Sequence, residues 1–250
     1  MKKIFFRVLC NAVTGKIISL LFNYNIPNIR YGLKKYVTPK NYCNDTVRAM
    51  IFFGFYESAE MRLIQKFIPK DLPVIELGSS LGIVSSTVNQ HINIDTNYIC
   101  VEANPFLKDY IKKNILNHNP TKINFSIINA AIAYNTSGKI EMNISSNNTE
   151  SSLIKEAKIN NSNAIVLDAI SLNSLITEPY TLICDIEGAE IDIFKNDAVS
   201  LSKCKHLFIE LHTTTYENTI YSVVDLQEII INHLGFNLIK KDGNVFYFNK

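Results

Sequence analysis

The stretch from Val74 to Ser86, VIELGSSLGIVSS, constrains the fold of this chain more than any other. An apolar run typical of a buried strand ends at Gly78, and helix-compatible sequence resumes after Gly82. A turn of small residues between a strand and a helix lets a ligand come close to the backbone. The stretch therefore predicts an α/β fold that binds a ligand at this turn.

Strand-like and helix-like segments alternate along most of the remaining sequence. Predicted strands cover residues 74–78, 97–103, 122–133, 138–145, 163–170, 180–186 and 206–212. Predicted helices cover residues 57–68, 80–90, 106–118 and 223–234, and another begins at Ala189. This alternation is typical of a mostly parallel, doubly wound sheet that binds ligands at the carboxyl ends of its strands. The Asp242-Gly243 pair predicts a hairpin that ends the sheet with an antiparallel strand.

Residues 1–54 predict a basic, partly helical extension in front of a main domain at residues 55–250. Apolar residues recur at helical spacing from Leu9 to Leu21, and Asp45 is the first acidic residue of the chain. We expect a helix that packs on the domain and turns a basic face to solvent. The alternative is peripheral contact of this helix with an anionic membrane. No apolar run approaches the roughly 18 residues that a membrane-spanning helix needs.

Composition restricts the partners and the compartment. Hydrophobic residues make up 47% of the chain and charged residues 19%, which predicts a buried core and excludes a disordered chain. A formal net charge of +2 gives no general affinity for nucleic acid. The five cysteines have neither CxxC pairing nor zinc-ligand spacing, and this usage suits a reducing, cytoplasmic compartment.

The glycine turn excludes two common kinds of nucleotide site. A phosphate-binding P-loop needs a lysine, and none occurs between Val74 and Ser86. A dinucleotide loop has the pattern G-x-G-x-x-G, whereas Gly78 and Gly82 stand at a different spacing. Glu76 would repel a pyrophosphate but attract the ammonium group of an amino-acid moiety. The turn therefore favours a cationic or zwitterionic nucleoside.

Two later strand ends supply candidate contacts for such a nucleoside. Glu102 ends the strand after the turn, at a spacing where an acid can accept hydrogen bonds from both ribose hydroxyls. Asn129 and Ala130 follow the third strand, where an adenine ring would lie. A side-chain amide or a backbone N–H at that point could read the ring nitrogens.

Four segments, VIELGSSLGIVSS, YICVEANP, INAAIA and LICDIEGAEIDIF, together resemble the FkbM-type S-adenosylmethionine-dependent methyltransferases. The resemblance extends from about Phe55 to His212, and DIEGAE is its most specific element. It implies the Rossmann-like class I methyltransferase fold, with a seven-stranded sheet and a C-terminal antiparallel hairpin, and S-adenosyl-L-methionine as cofactor. It also implies O-methylation of hydroxyl groups on sugars or secondary metabolites. Ile183 departs from the family pattern, which commonly has a lysine two residues before the Asp of this motif.

Titratable residues cluster at the ends of the two strands that carry and follow this motif. Asp185 and Glu187 end one strand, and Glu210 and His212 end the next, with each pair on one side of its chain. We expect Asp185 to orient the cofactor amine or the acceptor hydroxyl. His212 is the candidate general base, because an unperturbed imidazole pKa of about 6.5 leaves it mostly neutral at pH 7. Glu210 could orient that imidazole.

The same residues also have simpler interpretations and one alternative chemical role. The acids could reflect strand-end polarity, with Glu187 and Glu190 stabilising the start of a helix through its dipole. The same carboxylates and imidazole could instead hold Mg²⁺ or Mn²⁺. Tyr56 and Glu57 could line the acceptor side, although a role in starting the following helix is the simpler expectation.

The favoured function is an S-adenosylmethionine-dependent O-methyltransferase acting on a sugar hydroxyl of a surface glycan or glycoconjugate precursor, in polysaccharide biosynthesis. The alternatives are a nicotinamide-dependent oxidoreductase and a non-catalytic scaffold of the same fold at the membrane surface. The candidate catalytic residues are Asp185, Glu187, Glu210 and His212. The candidate cofactor-binding residues are Glu76, Gly78, Ser79, Ser80, Gly82, Glu102, Ala103, Asn129, Ala130 and Asp185.

Overall fold

The computed structural model describes residues 8–120, 124–134, 136–143, 152–153, 164–176 and 179–250. It begins with a small unit of four elements: α1 (Ala12–Phe22), β1 (Asn25–Asn28), β2 (Lys34–Val37) and α2 (Asp45–Phe52). The helix α1 confirms the helical prediction for this segment. The strands β1 and β2 form an antiparallel hairpin that no pattern in the sequence predicted. Arg48 ties the unit together, because its guanidinium donates to the Asp45 carboxylate and to the carbonyl of Pro39.

The orientation of α1 differs from the expected one. Gly15, Ile18 and Ser19 face the protein, whereas Ile17 and its apolar neighbours on the opposite face are exposed. Glycine is required at position 15, because a Cβ atom there would lie 1.6 Å from the carbonyl oxygen of Asp45. The helix therefore docks mainly through small residues and leaves an apolar face in solvent.

The first half of the main domain alternates helices and strands as predicted. Its elements are α3 (Ser58–Phe67), β3 (Val74–Leu77), α4 (Ile83–His91), β4 (Tyr98–Val101), α5 (Lys108–His118) and β5 (Phe125–Ile128). Pro105 begins the 3₁₀ turn that leads into α5, a position that tolerates proline because no backbone N–H is needed there. All four residues of β3 are buried, as expected for a parallel strand covered on both faces.

A smaller sheet follows in the middle of the chain. It contains β6 (Ala131–Ile132), β7 (Lys139–Asn143), β8 (Ser152–Leu153) and β9 (Ala164–Ile170), in the order β6-β9-β7-β8. The predicted strand at residues 122–133 is thus divided between two sheets, because β5 belongs to the main sheet and β6 to the small one. The strands β7 and β9 confirm the next two predicted strands, of which residues 144–145 and 163 lie outside the described residues.

The second half completes the main sheet. Its elements are β10 (Tyr180–Cys184), α6 (Glu190–Asn196), α7 (Ala198–Lys203), β11 (Cys204–Glu210), β12 (Thr214–Tyr216), β13 (Thr219–Tyr221), α8 (Val223–Glu228), β14 (Asn237–Asp242) and β15 (Val245–Asn249). A π-helical turn at Ile229–His233 extends α8. The pairing of β14 with β15 confirms the predicted hairpin around Gly243.

Seven strands form the main sheet, in the order β14-β15-β11-β10-β3-β4-β5. Neighbours from β11 to β5 run parallel, and β15 is antiparallel to both β11 and β14. This is the class I methyltransferase arrangement, and it confirms the predicted α/β fold with a C-terminal antiparallel hairpin. The strand order reverses between β3 and β10, and sheets of this kind bind ligands beside such a switch point.

Two hydrophobic clusters cover the faces of the main sheet, one containing side chains of α3, α4 and α5 and the other those of α6, α7 and α8. All five cysteines are buried free thiols, so they pack as small hydrophobic side chains. None of the helices in the described part of the chain combines the length and the apolar character that crossing a bilayer requires.

Candidate active site

A cleft of about 300 Å³ opens beside the switch point, at the carboxyl ends of β3, β4 and β10. Its charged lining residues are the four carboxylates of Glu57, Glu102, Asp185 and Glu187. Among the described residues that line it there is neither a lysine nor an arginine. The cleft therefore favours a cationic ligand over a phosphate.

The two glycines of the turn let backbone segments approach one another closely. Gly78 has a φ of 85°, and a Cβ atom there would lie 1.8 Å from the carbonyl oxygen of Asp185. Only glycine allows β3 and the chain after β10 to come this close. Gly82 has a φ of 75° and packs against the backbone of Ile111 in α5. Gly78 and Ser80 line the cleft, whereas Gly82 holds α5 against the turn.

Glu102 lines the cleft at the position where the sequence predicts the ribose contact. Its Oε2 atom accepts a hydrogen bond from the backbone N–H of Ser80, and its Oε1 atom accepts one from Asn104, both at 2.7 Å. Burial raises the pKa of Glu102 to about 7, although these two donors act in the opposite direction. Each carboxylate oxygen keeps a lone pair that can accept a hydrogen bond from a ribose hydroxyl.

The predicted contact of Glu76 with the cofactor ammonium group is wrong. Glu76 is only 2% exposed and does not line the cleft. Its carboxylate accepts hydrogen bonds from the Ser85 and Tyr98 hydroxyls and from the Cys100 thiol. Because neighbouring strand residues point to opposite faces, Leu77 reaches the cleft and Glu76 points away from it. Glu76 therefore joins α4 to β3 and β4.

Some of the remaining candidate cofactor residues line the cleft, and others lie behind it and support the residues that do. Ala103 and Ala130 line the cleft, as predicted for residues beside the nucleoside. Asn129 does not line it; its Nδ2 atom donates to the carbonyls of Glu102 and Ala103 at 2.8 and 3.0 Å. Ser79 is buried and likewise does not line the cleft. Asn129 thus braces the loop after β4, and its side-chain N–H groups are not directed at a ligand.

Asp185, Glu187, Glu190 and His212 converge at the opposite end of the cleft. Nδ1 of His212 bonds with Oε1 of Glu190 at 3.0 Å. Nε2 of His212 lies 4.0 Å from Oδ1 of Asp185 and 3.5 Å from Oε2 of Glu187. Oδ1 of Asp185 and Oε2 of Glu190 are buried without a hydrogen-bond partner. One imidazole therefore stands among three carboxylates that it cannot fully compensate.

This environment changes the protonation states that the sequence argument assumed. The hydrogen bond to Glu190 raises the pKa of His212 to about 9, although burial opposes the shift. The imidazole is therefore mostly protonated at pH 7, and Glu190, rather than the predicted Glu210, orients it. Burial raises the pKa of Asp185 to about 8, and the nearby Glu210 and Glu187 charges add to this rise. Asp185 is thus a stronger base than an ordinary carboxylate.

Glu57 is a cleft residue for which a helix-starting role was the simpler expectation. It does stand at the N-cap of α3, but its side chain caps no backbone group there, and it lines the cleft beside Tyr56. Glu57, Ser80 and Glu187 have left-handed φ values of 49°, 47° and 52°. Residues other than glycine adopt this conformation at an energetic cost, and such residues concentrate at functional sites. No sequence pattern marks this conformation in advance.

A comparison with protein-family models identifies the family of the chain. A family model described as the Methyltransferase FkbM domain matches residues 76–238, which is more than half of the chain. The chain therefore belongs to the FkbM methyltransferase family. The resemblance carried by the DIEGAE motif is confirmed. A comparison with curated proteins finds no match.

Several solved structures are similar to this chain at low identity. A protein of the NADB-Rossmann superfamily from Streptococcus agalactiae is 13% identical with a TM-score of 0.41, over 76% of this chain and 65% of that one. The chain thus spans just under two thirds of that protein. A putative RNA methyltransferase from Pyrococcus horikoshii is 13% identical with a TM-score of 0.45, over 94% and 96% of the two chains. An M. capricolum protein in complex with S-adenosylhomocysteine is 12% identical with a TM-score of 0.38, over 76% and 67%.

The residues of the cleft fit S-adenosylmethionine. Glu102 offers lone pairs for the ribose hydroxyls, and Ala130 and Ile132 offer apolar surface for the adenine ring. Glu57 and Asp185 offer carboxyl oxygens to the cationic methionine end, and Oδ1 of Asp185 has no hydrogen-bond partner within the described protein. A dinucleotide with two phosphates would meet the same carboxylates unfavourably.

Proposed function

We propose that the chain methylates a hydroxyl group of a sugar, in a glycan or glycoconjugate precursor made during cytoplasmic polysaccharide biosynthesis. The observation that carries this proposal is Asp185, a cleft carboxylate with a raised pKa and an oxygen without a hydrogen-bond partner. An alcohol must lose its proton when it accepts a methyl group, so a carboxylate that is basic near neutral pH suits this acceptor. Glu187 lines the cleft close to it and could accept a hydrogen bond from a second hydroxyl.

In this proposal each side chain has a separate task. The bound cofactor supplies an electrophilic methyl group. Asp185 takes the proton of the acceptor hydroxyl as the oxygen–methyl bond forms and the methyl–sulfur bond breaks. Glu190 holds His212 as an imidazolium, 4.0 Å from Oδ1 of Asp185, where its positive charge favours the ionised carboxylate. His212 is thus a positioning and electrostatic residue in this proposal, and Asp185 is the base.

A divalent metal ion is the alternative use of the same side chains. One donor atom from each of Asp185, Glu190 and His212 lies within 4.8 Å of the others, which Mg²⁺ or Mn²⁺ could bridge. Nδ1 of His212 is already hydrogen-bonded to Glu190, however, and the ring would have to lose a proton to become a ligand. We therefore favour the ion pair over the metal. Turnover that survives EDTA supports the ion pair, and turnover that requires added Mg²⁺ or Mn²⁺ supports the metal.

Electrostatics argue against a nucleic acid as the acceptor. Glu57, Asp185 and Glu187 line the end of the cleft where the acceptor would enter, and no positive side chain among the described lining residues offsets them. Phosphate groups would find no lysine or arginine among these residues, and nucleic-acid affinity depends on lysine and arginine contacts to the backbone. A neutral sugar carries no such penalty.

Product mass spectrometry with methyl-deuterated S-adenosylmethionine tests the proposal. The acceptors would be nucleotide-activated sugars, oligosaccharides and an RNA transcript, each with and without EDTA. We expect the labelled methyl group on a sugar hydroxyl and none on RNA. Asp185→Asn should lower turnover by about 10²–10⁴-fold, the usual range for loss of a general base.

Asp95→Asn is the matched control, because Asp95 is an exposed aspartate outside the cleft and should keep full turnover. Label on RNA alone would overturn the choice of acceptor. Tight binding of S-adenosylhomocysteine without turnover on any acceptor would favour the non-catalytic scaffold instead.

A further inference from the structure

The outward face of α1 carries an apolar patch that the rest of the protein does not cover. Val13, Ile17, Leu20 and Leu21 are 70%, 53%, 71% and 71% exposed. Their spacing of four, three and one residues places them on one side of the helix, and they are called the α1 patch. Val199, by comparison, is the only exposed large hydrophobic residue of α7, and a single exposure of this kind needs no explanation. Four exposed aliphatic side chains within about two turns of one helix indicate a binding surface.

The packing of α1 against the protein holds the helix with this patch facing the solvent. A side chain at Gly15 would collide with the Asp45 backbone, so the opposite face of the helix cannot move closer. The Ser19 hydroxyl donates to the carbonyl of Gly15 at 2.7 Å and lies 3.3 Å from Oδ1 of Asp45. Asn11 caps the start of the helix by accepting the N–H of Thr14 at 3.0 Å. The helix is thus held in place while the four aliphatic residues of the α1 patch remain in solvent.

The charges around the patch have a single sign. No aspartate or glutamate precedes Asp45, and Asp45 is paired with Arg48 at 2.7 Å. Lys16, next to Ile17 on α1, is exposed. The other exposed cations of this unit are Arg30, Lys34, Lys35 and Lys40. Lys16 flanks the patch on the same helix, and the unit that carries α1 has exposed cations and no acid other than the paired Asp45. Such a combination of an apolar helix face and basic residues complements an anionic lipid surface.

We propose that the α1 patch docks the protein on an anionic membrane surface, with its aliphatic side chains among the lipid headgroups and Lys16 near their phosphates. A second copy of the chain is the less favourable occupant, because symmetric pairing through this face would bring like charges together. The proposal does not depend on the proposed sugar acceptor, since it concerns a surface away from the cleft residues.

Vesicle sedimentation with the full chain tests the proposal. The probes are vesicles of mixed phosphatidylglycerol and phosphatidylcholine, and vesicles of phosphatidylcholine alone. We expect binding to the mixed vesicles that is weakened by salt. The double variant Leu20→Glu/Leu21→Glu should bind at least about tenfold more weakly, because two leucines that would enter the lipid are lost and two negative charges are added. Val199→Glu, which alters an equally exposed aliphatic residue on α7, should bind like the unaltered chain.

Absence of binding by the unaltered chain to the mixed vesicles would overturn the proposal. So would a dimer in sedimentation velocity that the double variant converts to a monomer, which would assign the patch to a second copy. S-adenosylhomocysteine affinity, measured on the same samples, should be equal in all variants. If the double variant loses that affinity, Leu20→Ser/Leu21→Ser replaces it, and equal vesicle binding by this variant and the unaltered chain contradicts the proposal.

Discussion

The two ends of the cleft compensate their carboxylates in different ways. At the end of β4, Glu102 accepts hydrogen bonds from two backbone N–H groups, which offset part of the cost of burying its charge before any ligand arrives. At the end of β10, Asp185 and Glu187 share one imidazolium that Glu190 already holds. The end at Glu102, called the binding end, can accept hydrogen bonds from a neutral ribose. The end at Asp185, called the reactive end, has fewer positive charges than carboxylates. We infer that the reactive end is completed only by the cationic part of the cofactor and by the acceptor.

Gly78 joins the two ends, and its substitution should have the largest effect on stability. In Gly78→Ala the new Cβ atom would meet the Asp185 carbonyl oxygen and would also occupy a left-handed backbone position. We expect the free energy of unfolding to fall by about 2–4 kcal/mol, measured by urea denaturation.

Gly138→Ala separates these two causes. Gly138 has a nearly equal φ of 83°, but a Cβ atom added there would have no neighbouring atom within 4 Å. Its substitution should cost about 1–2 kcal/mol from the backbone conformation alone. Equal losses in the two variants would show that the close approach at Gly78 contributes nothing.

Glu102→Gln should lower the affinity for the cofactor through the binding end of the cleft alone. The variant replaces one accepting oxygen with an N–H₂ group that cannot accept from Ser80 or Asn104, or from a ribose hydroxyl. We expect S-adenosylhomocysteine affinity to fall by about 1–3 kcal/mol in calorimetric titration. Glu228→Gln alters an exposed glutamate on α8 and should leave the affinity unchanged. An unchanged affinity in Glu102→Gln would remove the ribose assignment.

His212→Gln should act on the reactive end and not on the binding end. Its imidazolium lowers the pKa of Asp185, so its loss should leave that carboxyl more protonated at neutral pH. We expect turnover to fall about tenfold at pH 7, with recovery at higher pH and little change in cofactor affinity. His233→Gln, at an exposed histidine outside the cleft, is the control. A fall that is the same at every pH would mean that His212 acts in another way.

The two ends of the cleft should also differ in the pH at which their carboxyl groups ionise. Because their pKa values are raised, Glu102 and Asp185 are protonated below about 7 and about 8, respectively. A cationic or hydroxyl-donating ligand prefers the ionised forms, so affinity for S-adenosylhomocysteine should rise by a few-fold, on the order of 0.5–1 kcal/mol, from pH 6 to pH 9. Glu102→Gln should remove the rise near pH 7, and Asp185→Asn the rise near pH 8. An affinity that is flat or falls over this range contradicts the assignment.

The sequence predicted the elements better than the directions of side chains. Strand and helix periods and the hairpin around Gly243 sufficed for the succession of strands and helices along the main domain. Glu76 and Glu102 show the limit, because both are acids near strand ends, yet one is bonded inside the protein and only the other lines the cleft. Strand register decides between them, and it is set by packing across the sheet. Glu57 and the exposed face of α1 depend on contacts distant in sequence in the same way.

The central claim is that the binding end of the cleft, at Glu102, binds the ribose of the cofactor. The reactive end, at Asp185, contacts the cationic, reactive part of the cofactor. Calorimetric titration of the unaltered chain, Glu102→Gln and Asp185→Asn with both S-adenosylmethionine and S-adenosylhomocysteine tests it most directly, since the two ligands differ by the methyl group and its positive charge. We predict that Glu102→Gln weakens both ligands by the same factor, whereas Asp185→Asn weakens S-adenosylmethionine more than S-adenosylhomocysteine. Equal weakening of both ligands by Asp185→Asn, or none, would contradict this division.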